Sequence, residues 1–143
     1  YKALKNQSPP HPLTKNLEGH DKGAARAMVT HARSKKIYSG GSDGRILEWT
    51  FVNNQWSAKE LFPKSNFQYF CLDVTPDENL MLAGGMAFGD ATQNYLELHD
   101  LRNPGNAPKK IPGFVQNVEH VEITPNGKGA YARDNSGRSI KYT

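Results

Sequence analysis

One plan of strand, turn, strand, tight turn and strand occurs three times in this 143-residue chain, with a period of roughly 43 to 50 residues. The first copy predicts strands at residues 25–30, 36–41 and 45–49, separated by turns at 31–34 and 42–44. Glycine or proline recurs about every eight to twelve residues, which leaves no room for a long helix. The sequence therefore predicts an all-β repeat protein.

The other two copies repeat this plan with different residues at key positions. Strands are predicted at residues 69–75, 80–85 and 95–100 in the second copy, and at 119–124, 130–132 and 139–142 in the third. His99 and Tyr142 align with Trp49 of the first copy. Alternating apolar residues precede a shared threonine, at Thr30, Thr75 and Thr124, and are predicted to face the sheet interior. They are Ala27 and Val29, Leu72 and Val74, and Val121 and Ile123.

Composition and charge set several classes of protein aside. No apolar run approaches the roughly 18 residues needed to cross a bilayer, so no membrane association is expected. Cys71 is the single cysteine, which excludes a disulfide framework within the chain and favours a reducing cytoplasm. The net charge of +4 comes from scattered basic residues without interleaved aromatics, so nucleic-acid binding is a minor hypothesis.

The first copy resembles a WD40 repeat in three places: Leu17-Glu18-Gly19-His20, residues 39–44, and Trp49. Two later turns, at residues 75–77 and 124–127, resemble the turn between the first two strands of a blade in that family. Copies two and three lack the Gly-His pair and the tryptophan. The resemblance covers about residues 13–143 and implies a partial WD40-type β-propeller of about three four-stranded antiparallel blades.

In the WD40 family the outermost strand of each blade comes at the start of the next sequence repeat. The resemblance therefore implies outer strands at residues 13–17, 55–62 and 107–112. It divides the chain into a linker at 1–12 and repeats at 13–51, 52–101 and 102–143, with a hairpin insertion at 86–94 in the second. Residues 1–5 also resemble the link that precedes the WD40 region of some large bacterial signalling proteins.

Three blades cannot close a propeller, because rings of this kind have typically about four to eight. Open sheet faces and an open edge would remain. Either the chain is part of a longer protein, or two copies associate so that six blades close. We expect one of these two arrangements.

The resemblance implies a buried hydrogen-bond network with a structural role for His20, Ser39, Asp43 and Trp49. A histidine, a hydroxyl and a carboxylate together also suit nucleophilic catalysis. We reject that interpretation because the same residue types are explained by the architecture, and we expect no enzyme. No cofactor or metal is expected either, since the glycine-rich residues 40–44 lack a following Lys-Ser or Lys-Thr pair and the histidines lack metal-ligand spacing.

The long hairpin tip of the second copy is expected on the same face as the loop that enters the neighbouring first strand. Binding energy concentrates in aromatic and arginine residues, so the candidate partner contacts are Arg26, Phe67, Tyr69 and Phe88. The alternative is that Phe67 and Tyr69 merely seal the core. The sequence thus favours a non-catalytic protein-interaction scaffold. A metal- or small-ligand-binding enzyme propeller, with Asp90 or Glu119 as ligands, is the second hypothesis.

Overall fold

Three antiparallel sheets, each a simple meander, make up the protein in the computed structural model, which describes residues 19–21, 25–87 and 94–142. The first sheet contains β1 (Ala25–His31), β2 (Lys36–Gly41), β3 (Ile46–Val52) and β4 (Gln55–Glu60). The second contains β5 (Phe67–Val74), β6 (Leu80–Ala87), β7 (Tyr95–Asp100) and β8 (Lys109–Pro112). The third contains β9 (Val118–Ile123), β10 (Ala130–Asp134) and β11 (Ser139–Tyr142). The predicted all-β class is confirmed.

Two of the implied outer strands are present. β4 occupies most of the predicted range 55–62, and β8 lies within 107–112. The third implied outer strand, at 13–17, lies outside the described residues, as does the linker at 1–12. Of the predicted hairpin insertion, residues 86 and 87 extend β6, while 88–93 are outside the described part.

The residues aligned with Trp49 occupy equivalent places in the three sheets, as their partners on the second strand of each sheet show. These pairs are Trp49 with Ile37, His99 with Met81, and Tyr142 with Ala130. Because directly opposed residues of an antiparallel pair point to the same face, each aligned residue faces the side on which the preceding sheet would lie. The register therefore confirms this part of the alignment.

The predicted equivalence of Thr30 with Thr75 and Thr124 is wrong by one residue. Thr30 pairs with Ile37, whereas Thr75 and Thr124 follow the residues that pair at that level. His31 takes the position of the other two threonines. A sequence alignment does not detect this offset, because apolar and polar residues alternate whether Thr30 or His31 is aligned with Thr75 and Thr124.

The core lies between the sheets. Ala27 and Val29 pack with the second sheet, and Leu72 and Val74 pack with the first. A second cluster joins the second and third sheets and contains Cys71, Leu82, Leu96, Phe114, Val118, Val121, Ala130 and Ala132, with Ile123 packed against it. All six alternating residues predicted to face the interior are thus in these two clusters.

The first strands of the three sheets lie side by side, because β5 contacts both β1 and β9. At the edge of the sheets opposite the β2–β3 turn, the turn that follows β5 contacts the first sheet through side chains. His31 Nε2 lies 3.1 Å from the Pro76 carbonyl oxygen, and Tyr38 Oη donates to Glu78 over 3.3 Å. Within the described ranges no helix is long and apolar enough to span a bilayer.

Candidate functional site

The structure brings His20, Ser39, Asp43 and Trp49 together at the tip of the first sheet. Trp49 Nε1 donates to Ser39 Oγ at 2.8 Å, and Ser39 Oγ lies 2.8 Å from His20 Nε2. His20 Nδ1 is 3.0 Å from Asp43 Oδ2. One consistent chain of donors runs from the indole through the hydroxyl and the neutral imidazole to the carboxylate. Ser39 is buried, and its hydroxyl oxygen bonds both Trp49 and His20, so it is not accessible to a substrate.

Asp43 fixes the segment that enters the first sheet. Its Oδ2 accepts from Asp21 N at 2.9 Å, and its Oδ1 accepts from Arg45 N at 3.1 Å. Burial acts to raise the pKa of this carboxyl, but the two backbone N–H groups and His20 outweigh it and hold the pKa below its ordinary value. The carboxylate therefore ties the incoming segment to the hairpin tip.

Asp134 does the same work in the third sheet, and sequence reasoning missed it. Its side chain is fully buried. One oxygen accepts from Val115 N and Gln116 N, at 2.9 and 3.3 Å, in the segment that enters the sheet. The other accepts from the backbone of Ser136 and Arg138 and from the Ser136 hydroxyl. The Ser136 hydroxyl and these N–H groups lower the pKa of Asp134 to about 2.

Asp134 and Gly41 are equivalent positions, since each donates its backbone N–H to the residue that closes its hairpin, Arg138 and Arg45 respectively. A Cβ on Gly41 would lie 2.5 Å from Asp43 Oδ1 and 2.6 Å from His20 Nδ1. Those two side chains thus fill the space that the third sheet gives to its own aspartate. The sequence signal was the Asp-x-x-Gly spacing of residues 134–137, which places a carboxylate at the start of the tip.

A β-bulge recurs at one position in the first strand of every sheet. The unpaired residues are Arg26, Phe70 and Glu119, in β1, β5 and β9. Each bulge stands at the hairpin-tip edge, and a bulge re-aims the side chain that it carries. The Arg26 guanidinium carbon lies 4.9 Å from the centre of the Phe70 ring, so the first two members touch across neighbouring sheets.

The candidate partner contacts predicted from the sequence differ in their exposure to solvent. Arg26 is exposed and is one of the three bulged residues, with Phe70 and Glu119. Phe67 and Tyr69 are 1% and 2% exposed, because their rings pack against each other and against the first sheet. This corrects their assignment as surface contacts and favours the alternative that they seal the core. Phe88 lies outside the described residues.

The residues named for a metal or small-ligand site do not converge in the described part of the chain. Glu119 is half-buried in β9, and Asp90 is outside the described residues. Across residues 19–21, 25–87 and 94–142, no group of three His, Cys, Asp or Glu side chains is arranged to hold a metal ion.

Comparison with known proteins identifies the fold. The chain is similar to the crystal structure of the WD40 β-propeller domain of Doa1, with a TM-score of 0.71 and 20% sequence identity over 89% of this chain. The chain spans 39% of the length of that structure. No family model and no curated protein matches the sequence. At this identity the likeness shows the fold alone, which is that of a partial WD40 β-propeller.

Proposed function

We propose that this chain, whose three sheets are blades of a partial WD40 β-propeller, is a non-catalytic scaffold that binds a protein partner. The observation that carries the proposal is the row of bulged residues Arg26, Phe70 and Glu119. Arginine and aromatic residues dominate the energetics of protein interfaces. The row stands on adjacent first strands, at the edge of the sheets that also carries the β2–β3 and β10–β11 turns.

The hydrogen bonds of the first blade favour this proposal over an enzymatic one. His20, Ser39 and Asp43 carry the residue types of a catalytic triad, but their polar atoms bond to one another, to Trp49 and to the backbone. A catalytic hydroxyl must reach a substrate, and Ser39 is 2% exposed. Fold alone would not decide between a scaffold and an enzyme. A signalling role and a cytoplasmic location complete the proposal.

The test is quantitative capture of partners from a cell extract by the immobilised chain. We expect Arg26→Ala and Phe70→Ala each to weaken retention of the same protein about tenfold, the usual loss for an interface anchor. Arg33→Ala is the matched control, because Arg33 is an exposed arginine in the turn at the opposite edge. Retention unchanged in the first two variants, or lost equally in all three, would contradict the proposal.

A scan with divalent ions by calorimetry addresses the enzymatic alternative. The scaffold proposal expects no saturable heat. Micromolar binding of one ion would favour a ligand-binding propeller instead.

A further inference from the structure

A buried acidic and imidazole pair in the second blade has fewer hydrogen bonds than its burial requires. Glu97 and His99 are 4% and 2% exposed. His99 Nε2 lies 3.0 Å from Glu97 Oε2, but the ring is oriented so that neither ring nitrogen makes a hydrogen bond within the described part of the chain. Burial of polar groups without partners is costly, so a partner is expected.

Comparison with the first blade shows that the fold does not require this pair. Glu97 is opposite Ala83, as Leu47 is opposite Ser39. The second blade thus has a carboxylate where the first has a buried leucine, and an alanine where the first has the serine that bonds Trp49. A blade can therefore be built with an apolar residue at the Glu97 position, which leaves the acid without a structural explanation.

The pair lines a cavity of about 300 Å³ in the second blade. This volume is at the lower end of ligand sites in proteins. The walls come from the segment entering β5 and from the loop before β8, and they comprise Phe62, Ser65, Tyr69 and residues 105–108. The Phe62 ring stacks on His99 with centroids 4.2 Å apart.

The polar atoms of the cavity are mainly acceptors. Among the described residues, the carboxylate of Glu97 accepts a hydrogen bond from the Tyr69 hydroxyl alone, at 3.5 Å, although a carboxylate has about four acceptor sites. Burial, together with the charge of Glu97, raises the pKa of Tyr69 above its ordinary value, so this hydroxyl stays neutral. Lys110 is the cross-strand neighbour of Glu97, but its ammonium lies over the Tyr95 ring, 4.8 Å from the ring centre. Lys64 directs its ammonium toward Asp21, 4.0 Å away. In the described part of the chain, neither lysine therefore forms an ion pair with Glu97.

We propose that this cavity binds an alkylammonium group, with Glu97 as its counter-ion and a ring nitrogen of His99 as an acceptor. An ammonium carries three donors, which match the carboxylate, the imidazole and the Tyr69 or Ser65 hydroxyl oxygen. The aromatic rings of Phe62 and Tyr69 suit the alkyl chain and the cation. An anionic ligand would meet the buried carboxylate of Glu97. Among the described residues that line the cavity, a metal ion would find two side chains of the usual ligand types, those of Glu97 and His99.

The test is titration of the chain with n-butylammonium chloride, followed by calorimetry and by amide chemical shifts, at ionic strength matched with sodium chloride. We expect saturable binding with shifts confined to the cavity walls. n-Butanol has nearly the same shape without the charge and should bind at least about tenfold more weakly. Equal binding of the alcohol, or no saturation by the amine, would overturn the proposal without any variant.

Glu97→Gln should weaken amine binding at least about tenfold, because the amide retains the shape but not the charge. Glu122→Gln is the control, since its carboxylate is 72% exposed in the third blade. Circular dichroism first establishes that both variants fold. Full binding by folded Glu97→Gln would overturn the assignment of the counter-ion.

Two sources can present this chemistry, a free amine and the lysine side chain of a protein. Titration with Nα-acetyl-lysine methylamide, which keeps the side-chain ammonium, distinguishes them. Binding at least as tight as that of butylamine assigns the cavity to a lysine side chain, and binding of butylamine alone assigns it to a small amine. Both results support the ammonium site, and failure of both ligands overturns it while leaving the Arg26 and Phe70 scaffold test unaffected.

Discussion

The first and third blades fix their incoming segments with carboxylates that come from different positions. In the first blade the hairpin opens with Gly41, and Asp43, two residues later, reaches back with the help of His20. In the third, Asp134 stands at the Gly41 position and bonds the incoming backbone directly. These two blades therefore share a carboxylate at the tip but take it from different positions in the hairpin. A sequence pattern that specifies one position will recognise only one blade.

The first blade differs from the other two at the level of Ser39. Alanine replaces this serine at residues 83 and 132, so the residues equivalent to Trp49 lose their acceptor. In the described part of the chain the ring nitrogens of His99 and the hydroxyl of Tyr142 are buried without a hydrogen bond. Within the described residues, the first blade alone pairs this polar group, and in the second blade His99 lines a cavity.

Asp134→Ala should destabilise the protein more than any other substitution in the three blade tips. Removal of the carboxylate leaves the N–H groups of Val115, Gln116, Ser136 and Arg138 without their acceptor. We expect the melting temperature to fall by roughly 10 °C or more. Thermal unfolding followed by circular dichroism measures it. Ser136→Ala removes a single donor and should cost much less, and equal losses in the two variants would contradict this account of the third blade.

Low pH should weaken the hydrogen bonds that the Asp134 carboxylate accepts from the incoming segment and the hairpin. The pKa of Asp134 is about 2 in the folded chain, below its ordinary value of about 4. A carboxyl with a lowered folded pKa stabilises the fold above the unfolded pKa, and this contribution is lost as the pH falls from about 4 through about 2. The stability difference between wild type and Asp134→Asn should therefore narrow over this range in urea unfolding. The similarly shifted pKa of Asp100 cancels because both proteins contain Asp100. A constant difference would refute the role of ionised Asp134.

His20→Ala probes the longer route of the first blade. It leaves Ser39 and Asp43 with unfilled hydrogen-bonding positions, and we expect a loss of about 1–3 kcal/mol in the free energy of unfolding. Urea titration measures it. His120→Ala is the control, because His120 is exposed in β9. A urea unfolding curve of His20→Ala that matches that of wild type within error would show that the network does not stabilise the blade.

Glycine-containing turns and alternating apolar residues predicted three strands of each sheet from spacing. The outer strands and the network around Trp49 were implied by the resemblance to WD40 repeats. The partner contacts were harder, because an aromatic residue at the start of a strand can point either way. Phe67 and Tyr69 turned out buried, and the neighbouring Phe70 stands on the bulge. The one-residue offset at Thr30 hid the equivalence of Arg26, Phe70 and Glu119, since a bulge changes the register without a distinctive residue.

Asp134 and the Glu97–His99 pair escaped sequence reasoning for another physical reason. Their roles depend on which backbone groups and which blade face them, and these contacts join residues far apart in the chain. Glu97 looks like an ordinary polar residue in an alternating strand, and only the register opposite Ala83 reveals that it is buried.

The smallest effect should come from giving the third blade the acceptor of the first. Ser39 accepts the Trp49 N–H at 2.8 Å, and Ala132 occupies the Ser39 position beside Tyr142, whose hydroxyl is buried and unpaired in the described part of the chain. Ala132→Ser supplies an oxygen there and should raise the free energy of unfolding by up to about 1 kcal/mol, the usual net value of one hydrogen bond. The same substitution in a Tyr142→Phe background has no donor to satisfy and should give no gain. An equal gain in both backgrounds would show that the serine acts through some other contact, and that the missing acceptor does not explain the difference between the blades.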